Sequence, residues 1–205
     1  MHLVCLDLEG VLVPEVWINV AKKTGIEELK RTTRDEPNYD TLMKYRMNLL
    51  KKHGLKLKDF QKVIKELGPL EGAEDFLNKL RREFQLIILS DTFYDFAMPI
   101  MEKMGFPTIF CHRLEINEND EIINYHFRQE NQKVCAVKAL KTLNYTIFAA
   151  GDSFNDVGML KTSDRGFFYN PPENIKNQFA QFPAFYNYDD LLKAFQNASR
   201  EFSEK

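Results

Sequence analysis

Asp7 and Glu9 stand two residues apart at the end of a short apolar run, Leu3-Val4-Cys5-Leu6. Such a run predicts a buried strand, and alternation along a strand puts both carboxylates on one side. Two like charges held that close repel. A hard cation with a preference for oxygen ligands, Mg²⁺ above all, relieves the repulsion. Gly10 lets the chain turn sharply behind them. Taken alone, the pair also fits an acidic, solvated strand end.

Three later segments have the same character. Leu86-Ile87-Ile88-Leu89 is followed by Ser90, Asp91 and Thr92, a hydroxyl-rich group that is either a ligand loop or a helix N-cap. Lys133 opens a helical stretch, with Lys138 and Lys141 as competing candidates or with all three at the surface. Phe148-Ala149-Ala150 is followed by Gly151-Asp152-Ser153-Phe154-Asn155-Asp156, either a capped turn or a carboxylate-bearing loop. In open α/β sheets ligands gather outside the carboxyl ends of the strands. A hydroxyl, an ammonium and several carboxylates collected there can hold a phosphoryl group and one Mg²⁺.

The elements that must position these residues read as α/β. Strands are expected near 2–7, 86–90, 108–111, 146–150 and 166–169, with a β-hairpin over 114–128 around the polar turn Asn117–Glu121. Helices are expected from Val16 to Gly25, Asp40 to Lys52, Lys58 to Leu67, Gly72 to Glu83, Phe96 to Met104, Gln132 to Leu143 and Tyr188 to Glu201. Strands alternating with helices predict a doubly wound, Rossmann-like, mostly parallel sheet. The stretch after strand one is purely helical. It predicts a small helical insert, residues 14–71, in a core formed by 1–13 and 72–205.

The bulk properties exclude several classes. The chain has 205 residues and a formal net charge of −2, so nothing favours nucleic acid or an acidic membrane surface. No apolar run approaches a membrane span. Three cysteines, Cys5, Cys111 and Cys135, lack metal-ligand spacing and read as reduced thiols. The expected setting is cytoplasmic. The oligomeric state, monomer or homodimer, has no signature; Phe179, Phe182, Phe185 and Tyr186 read as core packing in preference to a dimer surface.

The ordered set DLEGVLV, the apolar run ending in Ser90, Lys133 and GDSFND resembles the four motifs of the haloacid dehalogenase superfamily of phosphotransferases. The helical insert resembles the cap of its phosphoserine phosphatase branch. DLEGVLVPE, ILSDTFY and AAGDSFND together resemble the bifunctional phosphoserine phosphatase/homoserine phosphotransferases. The resemblance implies Asp7 as nucleophile and Glu9 as general acid and base, where the wider family usually has aspartate. It implies Mg²⁺ held by the Asp7 carboxylate, the Glu9 carbonyl and Asp152, with Asp156 behind them. Ser90, the Asp91 and Thr92 amides, Lys133 and Asn155 would bind the phosphoryl group, while Glu15 and Arg46 would bind the ammonium and carboxylate of the substrate. The implied activity is hydrolysis of O-phospho-L-serine, with phosphoryl transfer to homoserine. A phosphatase of another small phosphorylated metabolite is the alternative.

Overall fold

The computed structural model describes residues 1–32, 35, 36 and 38–204. Its centre is a seven-stranded sheet built from β1 (His2–Leu6), β2 (Gln85–Phe93), β3 (Ile109–Ile116), β4 (Ile122–His126), β5 (Thr146–Gly151), β6 (Arg165–Tyr169) and β7 (Ala184–Phe185). The order across the sheet is β4-β3-β2-β1-β5-β6-β7. All neighbours pair in parallel except β3 with β4. β1 lies centrally, with Leu3 opposite both Gln85 of β2 and Ile147 of β5. The winding runs outward from β1 to β2 and β3, then restarts at β5 on the other side of β1. The strand order therefore reverses between β1 and β5, the place where α/β sheets open a crevice at their carboxyl ends.

Strand alternation sorts the apolar residues into two cores. Val4, Leu6, Phe148 and Ala150 face one side of the sheet. Leu3, Cys5, Ile147 and Ala149 face the other. Helices α4 (Ala73–Arg81), α5 (Tyr94–Met101) and α9 (Tyr188–Ser203) cover the first face through Phe76, Phe96 and Phe195. Helices α6 (Gln132–Thr142), α7 (Val157–Thr162) and α8 (Glu173–Gln178) cover the second through Val137, Leu160 and Ile175. Phe179 and Phe182 pack against this second core and Phe185 against the first, whereas Tyr186 is exposed.

The insert after β1 consists of α1 (Val16–Thr24), α2 (Tyr39–His53) and α3 (Leu57–Leu67), with a 3₁₀ turn at Glu27–Lys30. Gly25 and Gly54 close α1 and α2 in the left-handed conformation that glycine adopts without strain. The chain enters past Leu12 and returns at Leu70, whose N–H donates to the Leu12 carbonyl at 2.9 Å. The helices share the core of the sheet: Phe60 of α3 stacks on Phe96 of α5 with centroids 4.7 Å apart, and Trp17 of α1 meets both edge-on.

Two expectations change. The strand at 108–111 and the first arm of the hairpin are one strand, β3. Its start pairs in parallel with β2 and its end antiparallel with β4, so the apolar run and the alternating run are two environments of a single element. β2 continues through Ser90, Asp91 and Thr92 to Phe93, and α5 begins at Tyr94 without a side-chain cap. Ser90-Asp91-Thr92 is therefore not a helix N-cap. Helices α7 and α8 and strand β7 are too short to give a periodic signal in the sequence.

Phe60 is fully buried in the stack that joins insert and core. Phe60→Ala is expected to lower unfolding free energy by about 3–5 kcal/mol, measured by urea denaturation monitored through Trp17.

Candidate active site

The residues singled out in the sequence converge at the carboxyl ends of β1, β2 and β5. Asp7 follows β1, its N–H bonded to the Ala150 carbonyl of β5 at 3.0 Å. Its Oδ1 accepts from the Leu8 amide at 2.8 Å and lies 2.9 Å from Lys133 Nζ. Lys133, in the first turn of α6, also donates to Asp156 Oδ1 at 2.7 Å. Lys138 and Lys141 play no such part; Lys141 pairs with Asp164 on the surface.

Asp156 is fully buried and spends its second oxygen, Oδ2, on the amides of Asp152 and Ser153 at 3.0 and 3.1 Å. It therefore fixes both Lys133 and the turn that carries Asp152. The 3₁₀ turn Phe154–Asp156 follows from this capping arrangement around Ser153. Two glycines make the crowding possible. A Cβ on Gly151 would lie 2.2 Å from Asp156 Cγ, and one on Gly10 2.5 Å from Asp152 Cγ. Gly10 also holds φ at +79°, a conformation costly for other residues.

Asp7, Asp152 and Asp156 each offer a carboxylate oxygen, and these atoms lie within 4.8 Å of one another. Lys133 supplies one positive charge against these three carboxylates. Burial first, then the charges of Asp156 and Asp152, push the Asp7 carboxyl well above its usual range against the pull of Lys133. Asp152 is pushed up to about 7 by burial, then by Asp156 and Glu15. A divalent cation offsets such an excess, and with the Asp156 oxygens taken by Lys133 and two amides, the carboxylate oxygens of Asp7 and Asp152 are hard donors that suit Mg²⁺. The residues fit that ion.

Asp7 and Glu9 were expected side by side on a strand, and the structure separates them. β1 ends at Leu6, and the chain turns at Gly10. The Glu9 carboxylate lies at the start of α1, where Oε2 accepts from the Val16 amide at 2.9 Å. Burial, then the neighbouring Glu15, push its carboxyl up to about 7, against the Val16 amide, Thr92 and Arg46. At neutral pH it is poised between proton donor and acceptor.

Ser90 and Thr92 are buried, with the Thr92 amide 3.3 Å from Ser90 Oγ. Asn155, expected as a donor to substrate, gives its Nδ2–H to Asp91 Oδ2 at 3.0 Å, and its Oδ1 is met by Ser153 Oγ. Glu15 is exposed, yet near enough to Glu9 and Asp152 to raise both carboxyls. Arg46 of α2 is buried over the Trp17 ring, its guanidinium carbon 4.3 Å from the centroid. Its Nη2 donates to the Arg31 carbonyl at 3.0 Å, and its Nε has no hydrogen-bond partner among the described residues.

Three residues at the site escaped sequence reasoning. Gln132 donates to the Ser90 carbonyl and to Asp91 Oδ1, Tyr39 OH donates to the Asp91 carbonyl at 2.8 Å, and His112 packs between Phe93 and Phe127. Gln132 carried a signal in its adjacency to Lys133; Tyr39 and His112 carried none.

Comparison with known proteins decides the family. A family model described as haloacid dehalogenase-like hydrolase matches residues 1–164. The chain belongs to the haloacid dehalogenase-like hydrolases. It is 53% identical over 199 residues to phosphoserine phosphatase ThrH of Pseudomonas aeruginosa, covering 97% of each chain. It is 53% identical over 199 residues to a phosphoserine phosphatase of Pseudomonas syringae pv. tomato, covering 97% of this chain and 84% of the relative. Among solved structures, a phospho-aspartyl intermediate analogue of phosphoserine phosphatase superposes with a TM-score of 0.78 at 22% identity, covering 94% of this hydrolase and 98% of that chain. Among its described residues, no helix is long and apolar enough to cross a membrane.

The raised carboxyls set a linkage. Groups whose folded pKa lies above the unfolded value bind extra protons when folded, so their contribution to stability is lost as pH rises through about 7. A cation that binds the ionised site restores it. Millimolar Mg²⁺ is expected to raise the melting temperature more at pH 8 than at pH 5.5, and Asp152→Asn to abolish the difference. Differential scanning calorimetry at the two pH values measures it.

Proposed function

We propose that the chain is a Mg²⁺-dependent phosphoserine phosphatase that works through an aspartyl phosphate on Asp7 and also transfers the phosphoryl group to homoserine. Residues 14–71 act as a cap over a core of 1–13 and 72–205. The names of the relatives point to phosphoserine. The observation that carries the substrate side is Arg46, a buried guanidinium with an unpartnered Nε that feels the charges of Glu9 and Glu15 but forms no ion pair among the described residues. Burying such a charge without an anion is costly, and a planar guanidinium matches a substrate carboxylate in two-point fashion. Glu15, exposed and near Glu9 and Asp152, would take the ammonium.

Lys133 and the Ser90–Thr92 segment hold the phosphoryl oxygens, and Asp7 attacks phosphorus in line. As the Asp7 oxygen–phosphorus bond forms, the bond to the seryl oxygen breaks, and Glu9 gives that oxygen its proton. Glu9, now a carboxylate, takes a proton from water or from a homoserine hydroxyl. That oxygen attacks phosphorus, and the bond to Asp7 breaks. Mg²⁺ bound by Asp7, Asp152 and the Glu9 carbonyl would supply charge neutralisation for nucleophile and phosphoryl group. Asp156 orients Lys133 and takes no part in bond making.

The test is one incubation with O-phospho-L-serine, Mg²⁺ and homoserine, in which inorganic phosphate and phosphohomoserine are quantified together. Phosphate release abolished by EDTA and by Asp7→Ala is expected, with phosphohomoserine beside it. No turnover of phosphoserine refutes the substrate assignment.

Two variants sharpen it. Glu9→Gln is expected to lower kcat by about 10²–10⁴-fold while Mg²⁺ affinity, measured calorimetrically, changes far less; equal losses would refute its acid–base role. Arg46→Met keeps the bulk and removes the charge. It is expected to raise KM for phosphoserine at least about ten-fold, the scale of a lost charge-assisted contact, and to leave KM for p-nitrophenyl phosphate, which has no carboxylate, unchanged.

A further inference from the structure

Asp91 contacts residues of α2, β3, α6 and the 3₁₀ turn that follows β5. Gln132 Nε2 donates to its Oδ1 at 3.0 Å, and Asn155 Nδ2 to its Oδ2 at 3.0 Å. Lys133 Nζ lies 3.9 Å from Oδ2 and His112 Nε2 3.8 Å from Oδ1. Its carbonyl accepts the Tyr39 hydroxyl from α2. Gln132 is held in turn, its Oε1 accepting from Arg128 Nε at 3.1 Å.

A third carboxylate beside a phosphoryl-binding ammonium that Asp7 and Asp156 already neutralise is unexpected on electrostatic grounds. It repels an incoming phosphoryl dianion and so weakens ground-state binding. It does not cap α5, which begins two residues beyond Thr92 with no side-chain cap. Its two short bonds run instead to α6 and to the 3₁₀ turn, which carry Lys133 and Asp156. In the sheet, β2 and β5 flank β1 on opposite sides. Asp91 at the end of β2 and Asp156 after β5 therefore hold the same ammonium from both sides of the Asp7 carboxylate. Asn155, with one Nδ2–H on Asp91 and its Oδ1 against Ser153 Oγ, belongs to this network.

We propose that Asp91 is a positioning residue for the phosphoryl-transfer step: gripped by Gln132 and Asn155, it keeps Lys133 in register with Asp7. This rests on the phosphoryl-transfer reading above. Misplacement of a catalytic group by an ångström costs up to about 10²-fold in rate, whereas loss of a ground-state contact appears in KM.

The experiment compares wild type, Asp91→Ala, Asp91→Asn, Asn155→Ala and the double variant Asp91→Ala/Asn155→Ala. Values of kcat and KM are measured for O-phospho-L-serine and for p-nitrophenyl phosphate, beside melting temperatures. Asp91→Ala is expected to lower kcat on both substrates by about 10–100-fold with KM within about three-fold, and Asp91→Asn to fall between it and wild type. The double variant is expected to be no slower than the slower single one, since Asn155 acts through Asp91. If Asp91→Ala does not fold, the near-isosteric Asp91→Asn carries the kcat comparison. An unchanged kcat, a loss confined to KM, a fall in melting temperature without a fall in kcat, or multiplied losses in the double variant would each overturn the proposal. A wild type inert on both substrates would overturn the phosphoryl-transfer reading, and this inference with it; activity on p-nitrophenyl phosphate alone would remove only the phosphoserine assignment.

Discussion

Lys133 carries a positive charge into a place where water cannot screen it, and the neighbouring elements are arranged around that fact. An ammonium there is tolerated only with carboxylates at bonding distance. Asp7 and Asp156 supply them at 2.9 and 2.7 Å. Bringing these carboxylates together from the ends of β1 and β5 creates the opposite difficulty, an excess of negative charge once Asp152 is counted. The glycines at 10 and 151 follow from the same crowding, because the Asp152 and Asp156 carboxyl groups occupy the volume where a Cβ would stand. Charge balance thus fixes residue choice at positions that themselves carry no charge.

The insert is fastened to the core in a way that this site requires. Helix α3 packs on α5 through the Phe60–Phe96 stack. The hairpin turn grips its start: the Asp120 carbonyl accepts from the Leu57 amide and its Oδ2 from the Lys58 amide, both at 3.0 Å. Tyr125 of β4 donates to Asp40 Oδ1 of α2 at 2.7 Å. The hairpin is therefore a brace between core and insert. These contacts, with the Tyr39 bond to the Asp91 carbonyl, set α2, and Arg46 with it, over the carboxyl ends of the strands.

The sequence made the chemistry legible wherever residue type and position were tied together. Asp7, Lys133, Asp152 and Asp156 each follow an apolar strand or open a helix, and all meet within one cluster. The parallel sheet was legible for the same reason, since strands buried on both faces must be apolar throughout. Contacts between segments distant in the chain were not. The direction of the Glu9 carboxylate depends on where Gly10 turns the chain and on where α1 begins. The grip of Asn155 on Asp91 spans 64 positions, and no local pattern encodes it. The continuity of β3 was hidden because one strand pairs with two different partners and so shows two periodicities.

The two ends of the site are unbalanced in opposite senses. Around Lys133 the chain's own groups leave negative charge in excess, which pushes Asp7 and Asp152 toward their protonated forms. Around Arg46 they leave a buried positive charge without an ion-paired carboxylate among the described residues. Neither imbalance favours the folded chain by itself, so each is explained by what the site binds. On the proposed reading a divalent cation satisfies the first and the carboxylate of a phosphorylated amino acid the second. A ligand that carries both a phosphoryl group and a carboxylate would then engage both ends. Glu9 and Glu15 lie between these poles, and Arg46 and Glu15 oppose each other in setting the Glu9 proton. On the proposed reading the ligand's carboxylate offsets the Arg46 charge, which favours the Glu9 carboxylate, while its ammonium offsets the Glu15 charge, which opposes it more strongly, so the two ends of the ligand act on the Glu9 proton in opposite senses.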